Sequence, residues 1–160
     1  MRSFFIVYGS LRKDESNYLN FFKDKYYLWK SGVVKEAAVY DIGPQIVFYK
    51  DYPNLVERSD SVIVDLFYFD TDTFCFLLPI IDKLEFIDLG LYRRDTVEVE
   101  ITHVGGIPLD KTYLEFGGLI YKGHGMISKI GERELKVKDW PLESKRYITN
   151  YKKRKRELYE

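Results

Sequence analysis

Ser3-Phe4-Phe5-Ile6-Val7-Tyr8 runs apolar into Gly9-Ser10-Leu11. Such a β-branched and aromatic run, ended by a glycine, reads as a buried strand that emerges into a tight turn. Glycine at that corner permits a positive φ and lets a ligand approach the backbone. Successive N–H groups turned outward there make a concave site for an anion or an oxyanion. Taken alone, the tetrapeptide Tyr8 to Leu11 is more often an ordinary turn.

Outward from this strand the chain is rich in short β segments. Ser16 is placed to cap a short helix carrying Tyr18, Leu19, Phe21 and Phe22. Val33 to Tyr40 reads as a second strand, Asp41 to Pro44 as a turn, and Gln45 to Tyr49 and Ser61 to Phe69 as further strands around a turn at Asp51 to Asn54. After Asp70-Thr71-Asp72-Thr73 the caps favour a helix, but Pro79 is costly in a helix interior. The main helical turns are therefore expected to start at Pro79, where a missing N–H costs nothing, and to end near Gly90. Thr96 to Ile101 alternates as a half-exposed strand, Val104 to Asp110 reads as a loop, and Tyr113 to Tyr121 is a weaker β segment broken at Gly117-Gly118. Asp139-Trp140-Pro141 opens an expected C-terminal helix at about 141–158, with Tyr147, Ile148, Tyr151 and Leu158 on one stripe. Many strands and few helices, without regular alternation, give an α+β fold. The uneven strand spacing favours a small, mixed, partly closed β-barrel flanked by helices.

Composition sets the outer limits. The chain has 160 residues, 46% hydrophobic and 31% charged, which excludes a disordered chain and fits one domain spanning 1–160. The longest apolar run, Phe74 to Ile81, falls far short of the ~20 residues of a membrane helix, and Phe4 to Tyr8 is too short for a secretory signal core. A cytoplasmic protein with no membrane partner is expected. Cys75 is the single cysteine, read as a small buried hydrophobe; it allows no internal disulfide and no cysteine cluster for zinc. His103 and His124 sit in glycine-containing loops without a carboxylate at ligand spacing, so no metal is expected. Lys+Arg and Asp+Glu balance at 25 each, so no global field draws nucleic acid. The basic cluster Lys152 to Arg156 reads first as ordinary stabilisation of a helix C-terminus. The alternative is a binding module that uses that helix on nucleic acid or an acidic partner. Scarce glutamine beside abundant Lys and Glu is a thermophile pattern, which a biased genome also produces.

A second segment looks purposeful. At helical spacing Asp82 and Glu85 in Asp82-Lys83-Leu84-Glu85 share one side. Glu85 lies towards a helix C-terminus, where the dipole disfavours negative charge, so helix stability does not account for it. A carboxyl half-buried among apolar groups has a raised pKa and can move protons near neutrality. A solvent-facing glutamate is the commoner reading on an arbitrary helix.

Together these segments resemble the gamma-glutamylcyclotransferase-like superfamily: Tyr8 to Leu11 after a strand, Ile81 to Glu85 on a helix, then Tyr92, Arg94, Val97 and Val99 in order. The resemblance covers about residues 3 to 101, with a weaker fit through Trp140. It implies a mixed barrel with a pocket between the first turn and the glutamate helix. The implied substrate is a small γ-glutamyl amide or amine whose α-amino group attacks its own γ-carbonyl, releasing an amine and 5-oxoproline. Glu85 would be the general acid and base. Tyr8, Gly9, Ser10, Leu11 and Arg94 would bind substrate, and no cofactor or metal is needed. Monomer and homodimer are both open. Two departures bear on substrate: Val64 stands before Asp65 where the family commonly has glycine, which would narrow the pocket, and Gln45 to Lys50 looks inserted.

Overall fold

A computed structural model describes residues 3–40, 45–52, 60–85, 92–123 and 136–137. The opening run forms β1 (Phe4–Val7), buried at every position. It lies inside the main sheet, antiparallel to β5 (Ser61–Tyr68) and parallel to β9 (Leu119–Gly123). A strand covered on both faces has no polar side to show, hence its unbroken apolar sequence. Phe4, Ile6 and Tyr8 join one core with Val34, Leu66 and Ile120. Phe5 and Val7 point the other way and pack with Phe22, Phe67 and the helix residues Phe74, Leu77 and Ile81.

The sheet is mixed and seven-stranded, in the order β6-β9-β1-β5-β2-β7-β8. β2 is Leu28–Lys35, β6 is Tyr92–Thr96, β7 is Val99–Val104 and β8 is Ile107–Glu115. In a flat sheet, the five spacings between β6 and β7 would span roughly 24 Å. Only Val97 and Glu98 join those strands in the chain, and three Cα steps reach at most about 11 Å. The sheet must therefore curl until its first strand approaches its sixth. Hydrogen bonds do not join edge β6 to edge β8, so the α+β architecture is present without a closed ladder. A second sheet has the order β10-β3-β4, with β3 at Ala37–Tyr40, β4 at Gln45–Phe48 and β10 at Lys136–Val137.

Several elements depart from expectation. The run expected as one strand to Tyr40 divides at Glu36, whose φ of 55° turns the chain from one sheet into the other. Val104 to Asp110 is not a loop but a hairpin: Gly105 and Gly106, at φ 59° and 81°, make the two-residue turn between β7 and β8. Pro108 is tolerated because β8 is an edge strand. Thr96 to Ile101 is interrupted at Val97-Glu98 rather than continuous.

Both helices begin differently too. α1 (Ser16–Phe21) starts at Ser16 rather than being capped by it. α2 runs Thr71–Leu84, through Pro79, with Asp70 accepting from the Thr73 amide at 2.8 Å. Pro79 is borne because it lies on the exposed side with Cys75, whose carbonyl loses its helical donor where water can replace it. Cys75 is exposed, not buried. None of the described helices is long and apolar enough to cross a membrane. The expected turn at Asp41 to Pro44, the C-terminal helix with its basic cluster, the helix end near Gly90 and His124 lie outside the described residues.

Candidate active site

Where β1 ends, the chain turns at Gly9 to Arg12, the Arg12 amide donating to the Gly9 carbonyl at 3.0 Å. The Ser10 carbonyl accepts from the Asn17 and Tyr18 amides at 3.0 and 3.2 Å, so the turn supplies the cap that α1 lacks in its own side chains. Asn17 Nδ2 also donates to Ser10 Oγ at 2.6 Å. From below, the buried Asp65 carboxylate accepts from the Lys13 amide at 2.9 Å, Arg12 Nε at 3.1 Å and Ser31 Oγ at 2.8 Å. The Gly9 and Ser10 carbonyls are thus committed within the turn and to α1. Among the described residues, the amides of Gly9, Ser10 and Leu11 have no acceptor. Gly9 itself is outside the positive-φ region that its residue type permits.

At this turn lies a cavity of about 200 Å³, lined by Tyr8 to Leu11 and Asn17 together with Leu84, Glu85, Tyr92 and Tyr121. Glu85 caps the C-terminus of α2, its amide donating to the Ile81 carbonyl at 2.9 Å. Burial raises its carboxyl from 4.5 to about 7, because desolvation penalises the charged form. The buried Tyr8 hydroxyl donates to the Tyr121 carbonyl at 2.8 Å. Burial, and then the nearby Tyr92 and Glu85, push its pKa well above the ordinary value. The Tyr121 hydroxyl donates to Asp82 Oδ1 at 2.6 Å, and its pKa is raised by burial and by that hydrogen bond. Both phenols therefore stay protonated as hydrogen-bond donors.

The structure brings five of the six expected site residues, Tyr8, Gly9, Ser10, Leu11 and Glu85, to one cavity. Arg94 stands apart: it does not line the cavity, and its Nε lies 3.6 Å from Asp82 Oδ1. Val64 does not narrow the cavity either. It is fully buried in the strand core opposite Gly32, where a Cβ at Gly32 would collide with the Glu100 carbonyl. Sequence reasoning missed Asn17, Tyr92 and Tyr121 as cavity walls and Asp65 as the anchor of the turn. Tyr92, quoted beside Arg94 in the motif, and Asp65, quoted after Val64, each carried a signal. Among the described residues, no group of three His, Cys, Asp or Glu could hold a metal ion.

The model of the gamma-glutamyl cyclotransferase, AIG2-like family matches residues 5–142. The chain belongs to that family. The match takes in the turn after β1, α2 and Glu85, and β9 with Tyr121, so every wall of the cavity falls within the cyclotransferase region. Among solved structures the chain resembles YkqA of Bacillus subtilis, with TM-score 0.52 and 22% identity over 89% of this chain. It spans 41% of that protein's length. It also resembles an uncharacterized protein of Pyrococcus horikoshii, with TM-score 0.50 and 17% identity, over 92% of this chain and 96% of the other. These two likenesses show a shared fold alone. No curated protein matches it significantly.

Proposed function

We propose that the protein converts a small γ-glutamyl amide or amine into 5-oxoproline and the free amine, with Glu85 as general base and acid. One observation carries the reading: a carboxyl group titrating near 7 shares a 200 Å³ cavity with a turn whose amides lack acceptors. The substrate's α-nitrogen attacks its own γ-carbonyl carbon, the new C–N bond closes the five-membered ring, and the bond to the leaving nitrogen breaks. The α-ammonium gives up two protons in becoming the lactam N–H, and both end on the released amine. Glu85 carries them one at a time and finishes as it began. The amides of Gly9, Ser10 and Leu11 receive the negative charge that develops on the γ-oxygen, or the substrate carboxylate.

Ring closure within one molecule draws its advantage from orientation, so the chemistry asks for a shaped wall more than for a side-chain nucleophile. Tyr8, Tyr92 and Tyr121 supply that wall, and Arg94 acts through Asp82 rather than on the substrate. The test is a panel of γ-glutamyl amines and dipeptides scored for 5-oxoproline. Formation from at least one member, cut by ~10²–10⁴ in Glu85→Gln, supports the reading. Tight binding of these compounds without any 5-oxoproline would replace it with a non-catalytic binding module.

A further inference from the structure

Glu85 has a position problem. It is the cap residue of α2, at φ −90° and ψ 7°, and among the described residues no side chain hydrogen-bonds or ion-pairs with its carboxyl. Helix ends fray, and the last carbonyls of a helix lack intrahelical donors. A proton carrier must nevertheless sit within hydrogen-bond reach of two nitrogens in turn. Something has to set the direction of the final turn of α2.

Apolar packing does part of this, since Ile81 is fully buried, but apolar contacts are not directional. The directional ties are at Asp82, one helical turn before Glu85 and on the same side. Among the described residues, the polar links from the last turn of α2 to the main sheet are those of Asp82: Tyr121 Oη at 2.6 Å from β9, and Arg94 Nε at 3.6 Å from the neighbouring strand β6. The Arg94 and Tyr121 positions are directly paired across those strands, so both reach the carboxylate from one point on the sheet. Tyr121 also lines the cavity, beside Tyr8, whose hydroxyl donates to its carbonyl.

From this we infer that Tyr121 and Asp82, steadied by Arg94, are positioning residues that hold Glu85 in the cavity. The inference rests on the reading of Glu85 as proton carrier and deepens it: the sheet, through one phenol, aims the helix end. Charged and titratable groups around Glu85 are Tyr8 of the turn, Tyr92 and Arg94 of β6, Tyr121 of β9, and Asp82 of its own helix. Removing the Tyr121 hydroxyl leaves all of their charges in place and the ring wall intact, so Tyr121→Phe isolates the pin.

The experiment labels glutamate side-chain carboxyls with ¹³C in the full chain, identifies Glu85 by its loss in Glu85→Gln, and pairs its titration with steady-state cyclisation. In Tyr121→Phe a loosened helix end admits water, so the Glu85 midpoint falls by about one pH unit or more while kcat drops about tenfold and KM stays within about twofold. Asp82→Asn and Asp82→Ala lose the same charge, but only the former keeps an oxygen for Tyr121. Asp82→Asn is therefore expected to retain most of the kcat that Asp82→Ala loses. An unchanged Glu85 midpoint and kcat in Tyr121→Phe overturns the inference. Should that variant not fold, equal kcat and equal Glu85 midpoints in the two Asp82 variants overturn it instead. If the midpoints move as expected but the wild-type protein makes no 5-oxoproline, the pin stands and the cyclotransferase reading falls.

Discussion

A carboxylate at the C-terminus of a helix meets a dipole of its own sign, and one kept from water also forgoes hydration. Glu85 bears both costs, and burial raises its carboxyl from 4.5 to about 7. Activity and stability must then respond to pH in opposite directions. The ionised form accepts the substrate's proton, so kcat/KM is expected to rise with pH through a midpoint near 7, measured as initial rates between pH 5 and 8. The folded state, by contrast, holds this proton more tightly than the unfolded chain. Its contribution to stability is complete below pH 4.5 and is lost as pH rises through about 7. Glu85→Gln, which cannot ionise, should cut turnover by ~10²–10⁴. It should leave the melting temperature near pH 4.5 almost unchanged and raise it by about 3–6 °C at pH 8. Calorimetry at the two pH values beside single-turnover rates checks both. A melting temperature that falls at pH 8 would make Glu85 a structural residue. Part of this was legible in the sequence, since an apolar stretch leading into a glutamate at a helix end marks a carboxyl placed against both its dipole and its hydration. The placement of Arg94 was not: a cation two residues after Tyr92 looks the same whether it faces a ligand or Asp82.

Among the elements, α2 shows how position on a helix decides the cost of a residue. A proline in a helix interior removes a donor and crowds the preceding turn, at about 3 kcal/mol in the unrelieved case. Pro79 lies on the exposed face, and its ring also restrains the unfolded chain, so the net cost is smaller. Pro79→Ala is expected to stabilise the protein by about 1–2 kcal/mol without changing KM, read by denaturant unfolding and steady-state kinetics. The turn after β1 responds differently because it depends on one buried acceptor. Asp65→Ala removes the acceptor shared by Arg12, the Lys13 amide and Ser31. Taking one partner from a buried charged pair costs about 3–5 kcal/mol. A large fall in melting temperature is expected, with a raised KM in the enzyme that remains folded, because the amides of Gly9 to Leu11 lose their support. An unchanged KM would mean that the turn holds its shape without Asp65.

On the scale of the whole molecule, the curled sheet keeps its far edge in place with a charge pair. Lys30 of β2 and Glu115 at the end of β8 meet at 3.0 Å, both largely buried, with the ammonium 4.8 Å above the Tyr68 ring. Lys30→Ala takes the ammonium from a buried carboxylate and is expected to cost about 3 kcal/mol, whereas Lys30→Met with Glu115→Leu should recover most of that by exchanging the pair for apolar contact. Chemical denaturation of the single and double variants separates the two outcomes; a double variant as unstable as the single would show that the pair is worth more than its desolvation. Such a pair could not have been foreseen, since Lys30 and Glu115 are far apart in the chain and neither stands in a motif. Elements whose code is local were readable: β1 from its unbroken apolar run, the break at Gly117-Gly118, and the order of turn, glutamate helix and following strand. Local signals misled where tertiary context outweighed them, at Pro79 on a solvent-facing side, at Gly105-Gly106 where two glycines make a hairpin rather than a loop, and at Glu36 where one residue with positive φ sends a strand into another sheet. The amino-acid sequence by itself determined which chemistry-bearing groups exist, a glycine turn and a glutamate out of place on its helix, because residue type and short spacing carry that information. Only the tertiary structure decided that the turn and Glu85 share one cavity, that Tyr121 lines it and that Arg94 stands outside, because each follows from how a curled sheet brings distant strands together.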